Sequence, residues 1–179
     1  MKVQTSVEGR EQEIIDLFKA SFTASEGAEE GMLIGDLARD LLTETKAADI
    51  RVFAAEEVGE LIGAVIFSRL RYPEDSRCVF LLSPLAVMPD QQRKGVGQTL
   101  VSQSLSALFR EGVDVVMTYG DPAFYGRVGF TSIAEALASP PLPLTYPHGW
   151  LGQTKKGTEM GALHGPSHCV PALNRPDIW

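Results

Sequence analysis

One stretch of this chain, residues 78–110, limits the possible folds more than any other. Two apolar runs, 79–82 and 85–88, flank Ser83 and Pro84 and are followed by Pro89 and Asp90. A short loop containing two glycines comes next, and apolar residues then recur at the spacing of one helix face. We therefore expect a buried strand, a glycine loop and a helix, in that order.

The loop, residues 92–97, has the composition of an anion-binding site. A helix that begins near Gly97 leaves its first backbone N–H groups unpaired, and Gly95 and Gly97 lack a Cβ that would keep an anion away. Arg93 and Lys94 add positive charge, and the helix dipole contributes roughly 0.3–1 kcal/mol per favourable anionic contact. The loop is therefore predicted to bind phosphate, and two linked phosphates would suit it well.

The spacing of the glycines excludes two common nucleotide loops. A Walker loop needs four residues between its glycines, and a dinucleotide fingerprint needs three glycines, so neither is present. The pattern Gln-x-x-Gly-x-Gly after a strand ending Leu-Ala-Val-Met-Pro resembles the pyrophosphate loop of GNAT N-acetyltransferases. The Ser-Pro-Leu-Ala-Val version is similar to the YhbS-like branch. By itself, Gly-x-Gly fits a tight strand-to-helix turn without a ligand equally well.

A second motif follows another short apolar strand at 113–118. Residues 120–130 read Gly-Asp-Pro-Ala-Phe-Tyr-Gly-Arg-Val-Gly-Phe. They resemble the GNAT segment in which a tyrosine on a short helix faces the thioester sulfur, followed by a Gly-Phe turn. This resemblance implies a catalytic role for Tyr125. The alternative is a core aromatic whose hydroxyl is satisfied by the protein, but two motifs in the family's order favour the catalytic role.

The resemblance implies a fold and a set of site residues. It predicts one GNAT-like domain over 1–179, of class α/β (mixed α+β), with a mixed sheet of six or seven strands splayed at the fourth and flanked by helices. Residues 140–179 form a proline-rich extension. Acetyl-CoA is the implied co-substrate, without a metal. Its implied binding residues are Leu85, Ala86, Val87, Gln92, Arg93, Lys94, Gly95, Val96 and Gly97, of which Leu85 and Val87 act through their main chain.

The acceptor implied by the family is a primary amine on a small molecule or peptide. An amine of pKa about 10.4 is neutral only about once in 2,500 molecules at pH 7, a deficit of roughly 4.6 kcal/mol. Many GNAT enzymes carry a strand glutamate where this chain has Leu81, leaving Ser83 as the nearest polar side chain on that face. A water relay, Glu30 or another loop carboxylate are the candidate bases, and an acceptor of low pKa needs none. Glu30 is equally well explained as a solvated acid at a helix start.

Composition excludes several other classes. Sixteen Lys and Arg against 23 Asp and Glu give a net charge of −7, which argues against a nucleic-acid partner and mildly favours cationic substrates. No stretch has the length of a signal peptide or a membrane span, and two cysteines form no disulfide framework. We expect a cytoplasmic protein without membrane partners. Homodimers are common in such folds, but no interface is evident. His164, His168 and Cys169 lack zinc-like spacing.

The remaining pattern predicts the other elements. Strands are expected at 2–7, 51–55, 61–67 and 113–118, and helices after Gly9 to about residue 21, over 33–42 and over 97–111. The small and acidic residues at 22–31 are interpreted as a loop. In the tail, further strands are expected near 159–163 and 168–173. The competing function is a non-catalytic acyl-CoA-binding sensor, which the missing strand carboxylate supports and Tyr125 opposes.

Overall fold

The computed structural model describes residues 1–5 and 7–179. These residues form seven strands and four α-helices. The strands are β1 (Lys2–Gln4), β2 (Ile50–Glu57), β3 (Glu60–Arg69), β4 (Val79–Val87), β5 (Val115–Tyr119), β6 (Thr131–Ser132) and β7 (Trp150–Thr154), and the helices are α1 (Glu11–Glu26), α2 (Ala28–Glu44), α3 (Val96–Arg110) and α4 (Pro122–Tyr125). The predicted α/β class is confirmed.

The seven strands belong to one mixed sheet with the order β1-β2-β3-β4-β5-β7-β6. Strand β4 pairs in parallel with β5, and β7 runs antiparallel to both β5 and β6. The β4–β5 register joins Val79–Leu82 to Val115–Thr118, and β4 then continues to Val87. Pairing with β5 therefore ends at Leu82, two residues before Pro84, which has no N–H to donate to a ladder.

The chain divides into two compact units, each assembled from two segments. The first contains residues 1–67 and 83–104, and the second contains 68–82 and 105–179. In the first unit, α1 and α2 bury amphipathic stripes that include Phe18 and Leu37, both fully inaccessible to solvent. In the second unit, the largest fully buried side chain is Trp150, whose indole N–H donates to the carbonyl of Ala138.

The predicted loop at 22–31 is wrong. Helix α1 continues to Glu26, and α2 begins at Ala28, so that only Gly27 separates them. Gly27 has a φ of +103°, which a glycine adopts readily and which breaks the helical path. The small and acidic residues around it are compatible with exposed helical turns, and their low apolar content marks a solvent face here, not a loop.

The strands expected at 51–55 and 61–67 are confirmed as β2 and β3, which are neighbours in the sheet, and the turn between them has a clear physical basis. Val58 and Gly59 have φ values of +52° and +86°. Positive φ at both central residues is typical of a type I′ turn, whose twist matches that of the flanking strands.

The tail contains a strand that sequence reasoning missed and lacks two that it predicted. Strand β7 pairs with β5 and β6, whereas 159–163 and 168–173, all described, contain no strand. Arg77 instead holds the segment near 160 by donating to the carbonyls of Met160 and Ala162. Its guanidinium also pairs with Asp75 and keeps the pKa of that carboxyl well below its usual range.

Helices α1 and α2 pack closely at two glycines of α2, Gly31 and Gly35. A Cβ on Gly31 would lie 2.8 Å from the carbonyl oxygen of Lys19, whereas one on Gly35 would lie 3.2 Å from the Lys19 Cβ. We expect Gly31→Ala to destabilise the protein by about 2 kcal/mol, which lowers Tm by about 4–8 °C. Gly35→Ala is the matched control and should change Tm little, because alanine's helix propensity offsets the tighter contact. Equal Tm values for the two variants would contradict this packing.

Candidate active site

The glycine loop lies between the end of β4 and the start of α3. A 3-10 turn at Pro89–Gln91 follows the strand, and Arg93 and Gly95 then take positive φ values of +61° and +81°. The carbonyl of Gly95 accepts the first helical hydrogen bond, from the Thr99 N–H at 3.0 Å. The N–H groups of the next residues, beginning with Val96, therefore occupy the first turn of α3, where a helix provides no partner for them.

The side chains and space around this loop suit an anion. Arg93, Lys94 and Gly95 are exposed, and the first turn of α3 contains no acidic residue. A Cβ on Gly95 would meet no atom within 4 Å. Glycine is therefore favoured at 95 by its φ, and the space beside it is open to a ligand. The Lys94 ammonium donates to the Gln91 side-chain oxygen at 3.2 Å, which holds one positive charge at the loop.

Two side chains of the first unit donate to the carbonyl of Val87, the last residue of β4. The Ser21 hydroxyl of α1 donates to this oxygen at 3.0 Å, and the Gln92 side-chain amide donates to it at 3.1 Å. The same amide lies 3.5 Å from the Ser21 hydroxyl. We call this arrangement the Val87 clamp. It joins α1, the end of β4 and the first residue of the loop.

The second half of β4 alternates between half-buried and buried residues. Ser83, Leu85 and Val87 are half-buried, while Ala86 is 3% exposed. Leu81, which stands where the resemblance would place a strand glutamate, is 1% exposed. The alternation agrees with the predicted shared face of Ser83 and Leu85.

Tyr125 ends the short helix α4 of the second unit. The Asp121 side chain caps this helix by accepting from the Ala123 N–H at 2.8 Å. The Tyr125 ring packs against Gly120, where an added Cβ would lie 2.7 Å from the ring. Phe124 and Phe130 contact the ring edge-to-face, with centroids 5.0 and 5.5 Å away. These contacts fix the ring and remove much of its surface from water.

The environment of the Tyr125 hydroxyl holds its proton firmly. Burial raises the pKa of Tyr125 to about 12, and the neighbouring Thr118 side chain opposes part of that rise. The Thr118 hydroxyl itself donates to the buried Leu82 carbonyl at 3.0 Å. Thr118 therefore lies beside Tyr125 and binds the last residue of β4 that pairs with β5.

Glu30 lies half-buried in the first turn of α2. Trp150 is fully buried in the core of the second unit, whereas His148 is exposed and contacts the Tyr146 ring, with centroids 6.0 Å apart. Among residues 1–5 and 7–179, no cluster of three or more His, Cys, Asp or Glu side chains could hold a metal ion.

Sequence reasoning missed Ser21 and Thr118. Ser21 falls on the apolar stripe of α1, at helical spacing from Ile14, Leu17 and Phe18, and a lone hydroxyl on such a stripe is a usable signal. Thr118 ends an apolar run and offers no comparable signal, because threonine is common in strands.

Comparison with known proteins identifies the family. A family model described as an acetyltransferase (GNAT) domain matches residues 48–132. The chain is 30% identical over 140 residues to YjhQ of Escherichia coli K12, named as an uncharacterized N-acetyltransferase, and the match spans 75% of this chain and 77% of YjhQ. This chain belongs to the GNAT family. It is thus an acyl-CoA-dependent N-acetyltransferase, which confirms the predicted enzyme class.

Other GNAT proteins extend this similarity. YhbS of E. coli K12 is 33% identical over 120 residues, 66% of each chain, so the similarity to the YhbS-like branch is confirmed. The crystal structure of E. coli YhbS in complex with CoA has a TM-score of 0.82 at 23% identity, covering 97% of this chain and 92% of YhbS. A Brucella melitensis GNAT acetyltransferase in complex with acetyl-CoA has a TM-score of 0.70 at 18% identity, with coverages of 94% and 93%. Across the described residues, no helix is long and apolar enough to cross a membrane.

The hydrogen bond from Thr118 to the Leu82 carbonyl predicts a measurable stability effect. Thr118→Val keeps the side-chain shape but removes the hydroxyl, so the buried Leu82 carbonyl loses its donor at a cost of about 1–3 kcal/mol. We expect thermal unfolding to occur several degrees lower. Thr131→Val is the control, because the exposed Thr131 hydroxyl lies at the longer distance of 3.4 Å from the Gly152 carbonyl. A Tm for Thr118→Val equal to that of the control would remove this role.

Proposed function

We propose that this GNAT protein transfers the acetyl group of acetyl-CoA directly to a primary amine on a small molecule or peptide. The observation that carries the proposal is the loop before α3. Arg93 and Gly95 turn this loop back through positive φ, and the first N–H groups of the helix follow it. The CoA and acetyl-CoA bound by the two solved relatives support the same conclusion.

In this proposal the chain's residues have distinct tasks toward acetyl-CoA. The backbone of residues 94–97 and the cations Arg93 and Lys94 hold the diphosphate, since N–H groups and charge converge there. The half-buried main chain at Leu85 and Val87, with Ala86 between them, receives the pantetheine arm. Bound acetyl-CoA supplies an activated thioester carbonyl, and the amine displaces its thiol.

On the acceptor side, the chemistry requires an amine that has lost its proton. Glu30 and Ser83 are proposed to contact the acceptor. Ser83 alone is too weak a base for an ammonium group, and Leu81 contributes no charge. Glu30, another loop carboxylate or a water relay takes the proton, or the acceptor has a low pKa. The chain's net charge of −7 favours a cationic acceptor.

Tyr125 is proposed to stabilise the leaving thiolate. With the pKa of Tyr125 at about 12 and that of a thiol near 8.5, complete proton transfer is uphill by about 5 kcal/mol. The tyrosine therefore remains protonated throughout the working pH range. It acts as a hydrogen-bond donor to the sulfur as negative charge develops, and any transfer is coupled to collapse of the tetrahedral intermediate.

The role of Tyr125 is tested by removing one oxygen. Tyr125→Phe should lower kcat tenfold or more, in the range typical of proton-donating groups, while leaving the affinity for acetyl-CoA almost unchanged. Steady-state kinetics and calorimetry measure the two quantities. Tyr146→Phe is the control, because Tyr146 is 63% exposed. A Tyr125→Phe kcat within twofold of wild type would exclude the role.

The function itself is tested by titrating the protein calorimetrically with acetyl-CoA and then assaying free thiol with a panel of amines, including polyamines, aminoglycosides and lysine peptides. Amine-dependent thiol release is the expected result. Binding without release across the panel would favour the acyl-CoA sensor, which the apolar Leu81 supports. No binding would contradict the assignment of the loop. The single-domain organisation, cytoplasmic location and homodimer remain predictions.

A further inference from the structure

Ser21, a residue of the Val87 clamp, is a helical serine whose hydroxyl donates to a carbonyl outside its own helix. Serine and threonine hydroxyls inside helices commonly bond to the carbonyl four residues earlier. In this chain Ser25, Thr43 and Ser104 do so, at 3.2, 2.8 and 2.8 Å. Ser21, which is 5% exposed, donates instead to the Val87 carbonyl 66 residues away. Its hydroxyl therefore makes a tertiary contact at the end of β4.

The Gln92 side chain completes the clamp from the loop. It reaches back five residues to the same oxygen, at 3.1 Å. A carbonyl oxygen has two lone pairs, so Ser21 and Gln92 together saturate the Val87 acceptor. Neither this oxygen nor the Gln92 amide then has its full capacity left for a ligand. Gln92, which family resemblance places among the cofactor-binding residues, is engaged with the protein.

The clamp lies directly before the most constrained residue of the loop. Arg93 has a φ of +61°, a conformation that costs a non-glycine residue free energy and persists only where the surroundings impose it. On its N-terminal side, Met88 is tied to β3 by its N–H bond to the Ile62 carbonyl at 2.9 Å. The clamp fixes Gln92 to the end of β4 through the Val87 carbonyl. Both ends of the segment 88–92 are therefore held, and the direction in which the chain enters the left-handed turn is set.

We propose that Ser21 is a positioning residue for the anion-binding loop, acting with Gln92 through the Val87 carbonyl. The proposal rests on the proposed function, because it assigns to the clamp the task of holding residues 93–97 in the conformation that binds the CoA diphosphate. Ser21 itself touches no reacting atom.

The test is Ser21→Ala, measured by calorimetric titration with acetyl-CoA and by steady-state kinetics. We expect Kd for acetyl-CoA to rise about fivefold, the effect of one neutral hydrogen bond. KM for the amine and kcat at saturating acetyl-CoA should stay within twofold, a split that a general structural defect would not produce. Ser25→Ala is the matched control, since it removes a hydroxyl one turn away that bonds within its own helix. Equal Kd values for the two variants would overturn the proposal.

A second variant addresses the same carbonyl from the exposed side. Gln92→Met keeps the length of the side chain, removes its donor and alters an exposed residue, so it remains informative if Ser21→Ala does not fold. It should also weaken acetyl-CoA binding severalfold. In the double variant, the fold-change in Kd should differ by more than twofold from the product of the fold-changes of the two single variants. This deviation is expected because both donors share one acceptor. Strict multiplicativity, or unchanged binding by Gln92→Met, would refute the clamp.

The two hypotheses fail in different ways. Absence of acetyl-CoA binding by the wild-type protein would refute the proposed function. Wild-type binding that neither Ser21→Ala nor Gln92→Met weakens would refute only the positioning role. Binding without turnover still tests the clamp, because calorimetry reports Kd directly.

Discussion

Two carbonyl groups of β4 accept hydrogen bonds from the side chains of other elements. The Leu82 carbonyl accepts from the Thr118 hydroxyl, and the Val87 carbonyl accepts from Ser21 and Gln92. Between them, pairing with β5 has ended while the strand continues. Because buried acceptors require partners, these side chains stabilise both ends of the segment that has no pairing with β5.

Each of these contacts leads to a group with a proposed chemical task. Thr118 bonds to Leu82 and lies beside Tyr125, whose hydroxyl keeps its proton because burial raises its pKa to about 12. Ser21 bonds to Val87 together with Gln92, the residue before the left-handed turn of the loop. A hydroxyl on a packed element therefore supports each functional segment from within its own unit.

The proposed acceptor side has fewer charged side chains than the loop proposed to bind the cofactor. The loop combines backbone N–H groups with Arg93 and Lys94, features that any diphosphate can use. By contrast, β4 contributes only Ser83 and apolar side chains, and a buried leucine stands where many GNAT enzymes have a glutamate. The proton of the amine must therefore leave through a loop group, through water or before the amine binds.

Local patterns in the sequence determined much of this protein. Glycine spacing predicted the loop between β4 and α3, apolar periodicity predicted β2 to β5 and α3, and the two motifs in order predicted the family. These features are readable because backbone conformation and amphipathic faces depend on residues a few positions apart. Tertiary structure alone decided that α1 and α2 are separated by a single glycine, that β7 begins at Trp150, and that Ser21 and Thr118 serve β4. The hydrogen bonds that assign those two hydroxyls span 66 and 36 residues, and no local pattern encodes which distant carbonyl a buried hydroxyl will meet.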